Sequence, residues 1–311
     1  MDLSLAPPSA AIVAFAHEVG DSGPVAVVGG HTHWHVGGEL DAGARLVRAP
    51  SGIVAHEPEE LIVRCGAGTP VGELAMALAD HGQMTPIDPV SPDATVGGVL
   101  SVGYSGLRRL RYGPVRDLLL EARYVAADGE LVKAGAPVVK NVTGFDLCRL
   151  LVGSIGTLGF IGEVVLRCRP LPAASRWMHS YDADPFAIRR KLFGASSILW
   201  DGSTTWVLLE GYGADVDAET RLLGPAFAEV AGPPSLPIGT RKSMAPTALR
   251  DLSTGSALGS FIAEIGVGTV HSSNPTEGSV PSRTSGTVGL LNRDLKNAFD
   301  PTGRLNPGRC P

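Results

Sequence analysis

Three glycine-rich segments, each beside a run of β-forming residues, constrain this chain more than any other feature. They cover residues 29–38, 97–106 and 153–159. Glycine has no Cβ, so loops of this kind bring backbone N–H groups close to a ligand. The chain is therefore predicted to hold one large, phosphate-bearing cofactor.

Composition favours a loop-rich globular protein over a helical bundle. Of 311 residues, 40 are glycine, 24 are proline and 44% are hydrophobic, which suffices for one large domain or two modest ones. The net charge of −5 argues against general nucleic-acid binding. The four cysteines stand singly without a C-x-x-C pair, so neither a cysteine zinc site nor an iron–sulfur cluster is indicated.

Targeting signals are not evident at the N-terminus, which lacks a basic region. No apolar run approaches the roughly 20 residues that span a bilayer. We therefore expect a cytoplasmic protein without direct membrane insertion, and the sequence leaves open an attachment to a membrane through partners.

Hydrophobic periodicity predicts a mixed order of helices and strands. Helices are predicted at 9–20, 71–81, 146–152, 218–230 and 290–299, and strands at 25–28, 46–49, 52–57, 61–65, 118–126, 130–133, 160–167, 206–210 and 261–265. Thr69 is predicted to cap the second helix, with Pro70 at its first position. A change of character at 170–172 separates the two halves.

The first glycine-rich loop follows a buried strand and continues through residues 29–33. Its N–H groups and the Thr32 hydroxyl would hold a pyrophosphate, although a tight turn between strands explains the loop equally well. His31, His33 and His35 alternate, and on an extended segment they would face one way. No carboxylate follows at ligand spacing, so polar cleft residues are favoured over a metal site and no metal is predicted.

The second glycine-rich stretch follows a proline-rich, extended entry at 86–92. Its glycines permit close backbone approach, interleaved with hydroxyl groups. The sequence at 103–107 ends in Leu107 where a nucleophile elbow needs glycine, which argues against a serine hydrolase. The basic run at 108–116 is either a solvated surface or a face toward an anion or a partner subunit.

Five motifs occur in order along the chain. They are Thr95-Val96-Gly97-Gly98, Tyr112-Gly113-x-x-Arg116-Asp117, and the segments 140–147, 153–159 and 300–309. Together they resemble the FAD-linked oxidase family of the vanillyl-alcohol-oxidase, or PCMH, type, and within it the FAD-binding subunits of glycolate oxidases. The resemblance covers roughly residues 8–170 and 288–311.

This resemblance implies an α+β fold. A PCMH-type FAD-binding domain at 1–170 would consist of two α/β subdomains, about 1–65 and 66–170, followed by a small α+β cap at 171–287. Residues 288–311 would return to the FAD domain. The residues implied to contact FAD are Gly29, Gly30, His31, Thr32, His33, Pro89, Thr95, Gly97, Gly98, Ser101, Tyr104, Ser105, Gly156, Thr157, Gly159, Ile161 and Asn306.

The resemblance also implies a chemistry, in which a small 2-hydroxy acid such as glycolate gives a hydride to flavin N5. His271, His33 and Tyr104 are the candidate bases, and Lys140 or Arg309 would stabilise the reduced flavin. The chain would act as one subunit of a complex with iron–sulfur and larger FAD subunits. The alternative is a non-catalytic FAD-binding or assembly subunit.

Two departures from the family bear on these expectations. A histidine after two glycines carries a covalent flavin in some relatives, and His31 holds this position, but a non-bonded loop histidine is the favoured interpretation. The H-x-G-D-G-N-x-H and E-H-G segments of the large hydroxy-acid oxidases are missing from this sequence, where the nearest counterpart is the stretch 266–271 ending in His271.

Overall fold

The computed structural model describes residues 7–88, 91–137, 146–252, 259–274 and 286–310. Its helices are α1 Ala10–Val19, α2 Val71–Ala79, α3 Val96–Val102, α4 Arg109–Tyr112, α5 Leu147–Leu151, α6 Pro185–Lys191, α7 Gly213–Leu223 and α8 Gly286–Phe299. Its strands are β1 Val25–Val27, β2 Arg45–Val47, β3 Ile53–Glu57, β4 Ile62–Gly66, β5 Gln83–Met84, β6 Leu119–Val125, β7 Leu131–Gly135, β8 Phe160–Arg167, β9 Arg169–Pro170, β10 Ala174–Ser180, β11 Ala195–Trp200, β12 Thr205–Gly211, β13 Ala228–Val230, β14 Thr240–Ser243, β15 Phe261–Glu264 and β16 Thr269–Ser272.

The chain divides into two compact units. The first comprises residues 1–106, 114–170 and 280–311, and the second comprises residues 107–113 and 171–279. Both units mix helices with antiparallel sheets, which confirms the predicted α+β class. The FAD-binding and cap roles of the predicted segments stay predictions. No helix in the described parts of the chain is long and apolar enough to cross a bilayer.

The first unit is built on a five-stranded sheet in the order β3-β4-β8-β6-β7, with antiparallel neighbours throughout. The subdomain boundary predicted near residue 65 falls within β4, which pairs with β8. A separate parallel pair, β1 with β2, lies beside it in the same unit, and Val25 of β1 also bridges Leu305. The C-terminal segment is thereby tied to the strand that leads into the first glycine-rich loop.

One face of the five-stranded sheet packs against α2, α3 and α5. Leu74 and Leu78 of α2 and Leu100 of α3 are fully buried in this core, together with Leu166 of β8. Burial of each such side chain stabilises the fold by about 1.5–3 kcal/mol. The core therefore fixes the helix and loop that follow β4 against the sheet.

Charged side chains are also buried within this sheet. Arg64 lies 3.0 Å from Glu163 and 3.3 Å from Glu121, and each of these side chains is at most 2% exposed. Arg123 lies 3.3 Å from Glu163. The pairs come from three consecutive strands of the sheet, β4, β8 and β6, so the carboxylates and guanidinium groups compensate one another where water is excluded.

The second unit contains a seven-stranded antiparallel sheet in the order β13-β10-β12-β11-β15-β16-β14. Helices α6 and α7 bury Ile188, Leu192 and Val216 in one core with Val207 and Leu209 of β12. Residues 107–113, which carry part of the basic run, belong to this unit. Arg108 pairs there with Glu210 at 2.9 Å, so this arginine has a partner within the protein.

Three predictions of local structure are wrong. The helix predicted at 218–230 is instead α7 followed by β13, because Gly224 at φ +83° ends the helix and the next residues pair with β10. The predicted loop at 97–98 lies inside α3, where the Thr95 hydroxyl caps the N–H of Gly98 at 3.2 Å.

The third concerns the start of α2. Thr69 does not cap this helix, because its hydroxyl donates to the Gly66 carbonyl at 2.6 Å and accepts from Gly52 N–H at 2.9 Å. Pro70 takes the capping position and Val71 is the first helical residue. The side chain of Thr69 therefore fixes the turn after β4 instead of the helix.

Candidate cofactor site

The three glycine-rich segments meet at one cleft of the first unit, which encloses about 780 Å³ including the part open to solvent. We call it the amide cleft. It is lined by residues 27–34, Ala49, Ala67, Gly68, Thr95, Gly97, Gly98, Ser101, Val102, Ile155, Gly156, Phe160, Ile161, Asn306 and Arg309.

Backbone N–H groups give the cleft its polar character. The N–H groups of residues 29–32 and of Gly156 donate to no acceptor within the described residues. The hydroxyl groups of Thr32 and Ser101 also lie in the lining, and no carboxylate does so among its described residues. A cleft that offers donors without acidic groups suits an anionic ligand.

Close packing explains why glycine stands at the start of the first loop. A Cβ on Gly30 would lie 2.2 Å from the carbonyl oxygen of Asp93, and one on Gly29 would lie 2.5 Å from Oγ1 of Thr95. The loop is thus pressed against the segment that leads into α3. Because glycine has no side chain, the two backbone segments can pack closely at the wall of the cleft.

Backbone strain is concentrated around the same cleft. His31, Ile155 and Asn306 line it with φ values of +59°, +54° and +44°. The other described non-glycine residue with positive φ is Leu61, which is not in the lining. Strained conformations of this kind persist where surrounding structure fixes them, and they are common at functional sites.

Asn306 joins two of the converging loops. Its side-chain Nδ2 donates to the Ile155 carbonyl at 2.6 Å, and its Oδ1 accepts from the Val27 N–H at 3.3 Å. The backbone N–H of Asn306 donates to the Val25 carbonyl at 2.9 Å. The C-terminal segment therefore holds the cleft together as well as lining it.

Arg309 brings a positive charge to the cleft. Its guanidinium lies 4.0 Å from the centre of the Trp34 ring, and Nη2 donates to the Trp34 carbonyl at 3.0 Å. Nε is buried and has no hydrogen-bond partner among the described residues. Burial lowers the pKa of Arg309, and the part of the chain that the structure describes places no carboxylate within ion-pair distance of it.

Most residues predicted to contact FAD lie together in this lining. They are Gly29, Gly30, His31, Thr32, His33, Thr95, Gly97, Gly98, Ser101, Gly156, Ile161 and Asn306. Sequence reasoning did not single out Gly68 and Trp34, which the structure also places there. Gly68 could have been found, because Gly66-Ala67-Gly68 follows β4 much as the first loop follows β1.

The other predicted contacts lie elsewhere. Thr157 is buried and its hydroxyl donates to the Ser154 carbonyl at 2.7 Å. Gly159 packs against Tyr124, whose ring would lie 2.5 Å from an added Cβ. The Ser105 hydroxyl accepts from Val115 N–H at 3.0 Å. Pro89 lies outside the described residues, as does Lys140.

The three predicted bases have different surroundings. His33 lines the cleft, with Nδ1 3.2 Å from Thr32 Oγ1 and its ring centre 4.9 Å from that of Tyr104. Tyr104 itself is buried behind the lining. His271 belongs to the second unit, where its Nε2 lies 2.9 Å from Oε1 of Glu264 and both side chains are buried.

The expected alternation of the three loop histidines does not occur. Residues 31–38 form a series of turns, so the alternating side-chain directions of an extended strand do not apply. The His31 ring lies 4.7 Å from Trp34, and the His33 ring lies 6.5 Å from His35. No group of three or more metal-ligating side chains is found among the residues described.

Comparison with known proteins supports the family predicted from the motifs. Residues 9–135 match the family described as an FAD binding domain. The chain is 34% identical over 222 residues to glycolate oxidase subunit GlcE of Escherichia coli (strain K12), covering 69% of this chain and 63% of that protein. It is 35% identical over 162 residues to a D-lactate dehydrogenase of Archaeoglobus fulgidus, covering 51% and 36% of the two chains.

A third relative is glycolate oxidase subunit GlcD of Bacillus subtilis (strain 168), 34% identical over 125 residues, or 40% of this chain and 27% of that protein. The chain thus spans less than two thirds of the length of these relatives. Among solved structures, an alkyldihydroxyacetonephosphate synthase matches with a TM-score of 0.67 and 16% identity over 92% of this chain and 72% of that chain. That likeness confirms the predicted fold.

Proposed function

We propose, because residues 9–135 belong to the FAD binding domain family, that the amide cleft holds FAD and that the chain is a subunit of an FAD-dependent oxidoreductase. The observation that carries the proposal is the set of N–H groups at residues 29–32, which have no acceptor among the described residues and belong to residues that line a cleft without carboxylates in its described lining. Such donors suit the diphosphate of FAD.

The lining suits the remainder of the molecule as well. Val28, Val102, Phe160 and Ile161 give the cleft apolar walls, against which the uncharged parts of FAD would pack. Ser101 and Thr95 add hydroxyl groups between these walls. The residues present therefore fit a long ligand that is anionic at one point and uncharged elsewhere.

Bound FAD would supply an acceptor for a hydride from a substrate C–H bond. The protein would supply a base for the proton of the substrate hydroxyl, and we propose His33, His271 or Tyr104 for this role. A carboxylate 2.9 Å from Nε2 would orient the His271 ring. His33 lines the cleft itself, and contact with Tyr104 would orient its ring.

The proposed substrate is a small 2-hydroxy acid. Relatives of this chain are named for glycolate and D-lactate, which share a hydroxyl beside a carboxylate. The chain would act within a complex that includes iron–sulfur and larger FAD subunits, in the cytoplasm. Two of the relatives are themselves named as subunits of an oxidase, which supports this part of the proposal.

The second candidate is a non-catalytic FAD-binding or assembly subunit. It is favoured by the surroundings of His271, whose Nε2 lies 2.9 Å from Oε1 of Glu264 within a buried pair. In that case electrons would not enter from substrate at this cleft.

A flavin absorbance experiment separates the two candidates. The purified chain is reconstituted with FAD, freed of excess ligand and titrated anaerobically with glycolate, D-lactate and L-lactate. We expect a yellow protein that one of these acids bleaches, and a His33→Asn variant that stays yellow but bleaches more slowly. A yellow chain that bleaches with none of them, alone or with its partner subunits, supports the non-catalytic candidate. A folded but colourless chain rejects both.

A further inference from the structure

Arg309 is a partly buried cation that has no counter-ion in the part of the chain that the structure describes. Among the described residues, its side chain has one hydrogen bond, to the Trp34 carbonyl, and no carboxylate partner. Burial of a charge is costly unless that charge is paired, and burial lowers the pKa of this guanidinium. The arrangement leaves electrostatic stabilisation available to an anion that enters the cleft.

The side chain is also held in position. The Trp34 ring lies 4.0 Å from the guanidinium carbon, and the backbone N–H of Arg309 donates to the Asn306 carbonyl at 3.2 Å. Asn306 is itself bonded to Ile155 and Val27. Stacking on tryptophan restricts a flexible arginine, so little further ordering would be needed when a ligand binds.

Arg309 and the N–H groups of residues 29–32 line the same cleft. Oxidised FAD carries its negative charge on the diphosphate, and a planar guanidinium binds phosphate oxygens through paired hydrogen bonds. We infer that Arg309 binds the diphosphate of FAD together with the amides of the first loop. This inference rests on the proposed FAD site and assigns the cation that completes it.

The test measures FAD affinity by quenching of flavin fluorescence, at low and high salt, in the wild-type chain and three variants. Arg309→Gln removes the charge, and Arg309→Lys keeps the charge but loses the planar fork. Arg48→Gln is the matched control, because Arg48 is exposed, lies near the Gly29 carbonyl at 3.5 Å and does not line the cleft. The midpoint potential of the bound flavin is measured at saturating FAD.

We expect Arg309→Gln to raise the FAD dissociation constant about tenfold to a hundredfold and to reduce its salt dependence. Arg309→Lys should raise it by a smaller factor, and Arg48→Gln should stay within about twofold because an exposed charge is screened. The flavin potential should not change. If Arg309→Gln fails to fold, as circular dichroism would show, the comparison of Arg309→Lys with Arg48→Gln still decides the point.

Three results would overturn the inference while leaving the FAD site intact. One is unchanged FAD affinity in Arg309→Gln, and another is equal weakening by Arg309→Gln and Arg48→Gln. The third is a lowered flavin potential with unchanged affinity, which would place the cation against the isoalloxazine ring. Failure of the folded wild-type chain to bind FAD would instead reject the proposed function, and the inference with it.

Discussion

Two arginines of the C-terminal segment differ in what their donors reach. Arg304 is buried and donates to five backbone carbonyls, those of Val19, Gly20, Ser22, Gly23 and Ala127. Arg309 donates to the Trp34 carbonyl and stacks on the same residue. The donors of Arg304 are thus satisfied by backbone carbonyls of the protein. Arg309 has N–H donors without an acceptor among the described residues.

The difference separates a structural arginine from a binding arginine. The donors of Arg304 satisfy carbonyls at the end of α1 and in the turn that follows it, so its charge stabilises the first unit. Arg309 stabilises the folded protein less than Arg304 does, because its buried Nε has no hydrogen-bond partner among the described residues. The same side-chain type thus serves stability in one place and recognition in the other.

The largest expected effect on stability comes from replacing Arg304. Arg304→Met should lower the free energy of unfolding by about 3–5 kcal/mol, because five carbonyls, two of them on the buried residues Val19 and Ala127, lose a donor. Urea unfolding measures this loss. The matched control is Arg45→Met, since Arg45 is exposed and donates to the carbonyls of Glu18 and Val19. Similar losses in the two variants would contradict the comparison.

The Asp300 carboxylate accepts hydrogen bonds from the backbone of Arg304 and Leu305, and it should make the free energy of unfolding depend on pH. Burial raises the pKa of the Asp300 carboxyl, but hydrogen bonds from Lys296 and from the N–H groups of Leu305 and Arg304 outweigh it, so the net pKa is lowered. A carboxyl with a lower pKa in the folded state adds stability above its unfolded pKa of about 4, and this is lost as the pH falls through the folded pKa.

Asp300→Asn should therefore cost about 2–4 kcal/mol at neutral pH and much less in acid, where the wild-type carboxyl is also protonated. Urea unfolding across this pH range measures the difference. Asp294→Asn, an exposed change within α8, which ends one residue before Asp300, should leave the pH profile of unfolding unchanged. A difference between Asp300→Asn and wild type that does not shrink in acid would count against the charge-based account.

A smaller effect is expected at the wall of the amide cleft. Gly30→Ala should lower stability by about 1–3 kcal/mol, because the added methyl group would lie 2.2 Å from the Asp93 carbonyl and force the loop away. Its control is Gly213→Ala, where nothing lies within 4 Å and alanine favours helix α7. Thermal unfolding compares the two, and a neutral Gly30→Ala would mean that the loop can move freely.

The smallest effect on stability is expected for the binding cation. Arg309→Gln should change the free energy of unfolding without FAD by about 1 kcal/mol or less, because it loses one hydrogen bond and one ring contact while relieving an unpaired charge. Urea unfolding of the FAD-free chain measures this. A loss comparable with that of Arg304→Met would show that Arg309 is structural as well.

Much of the fold could be predicted from local patterns. The apolar spacing of α1 and α2 and the β-forming run at 160–167 identify elements that the structure confirms. The glycine pair at 97–98 misled the prediction, because glycine there permits close packing against Ala67 within a helix, not a flexible loop. That distinction depends on a neighbour distant in sequence.

The buried charged side chains were harder to predict, because their surroundings also depend on residues distant in sequence. Arg64, Glu121 and Glu163 occupy strand positions that alternate with apolar residues, a pattern typical of a solvent-facing side, yet all three are buried. Their compensation depends on the pairing of β4, β6 and β8. The lack of a counter-ion for Arg309 among the described residues is likewise a property of the folded unit, whereas the convergence of the glycine-rich loops could be predicted from ordered motifs.

The hydrogen bond between Val27 and Asn306 has a consequence for synthesis of the protein. The first glycine-rich loop leaves the ribosome early. Asn306, which is bonded to the strand before this loop, emerges only after residues 171–279 of the second unit. The second unit can therefore complete its sheet during translation, while the first remains unfinished. Cofactor loading is thus expected to occur late, after Asn306 has left the ribosome.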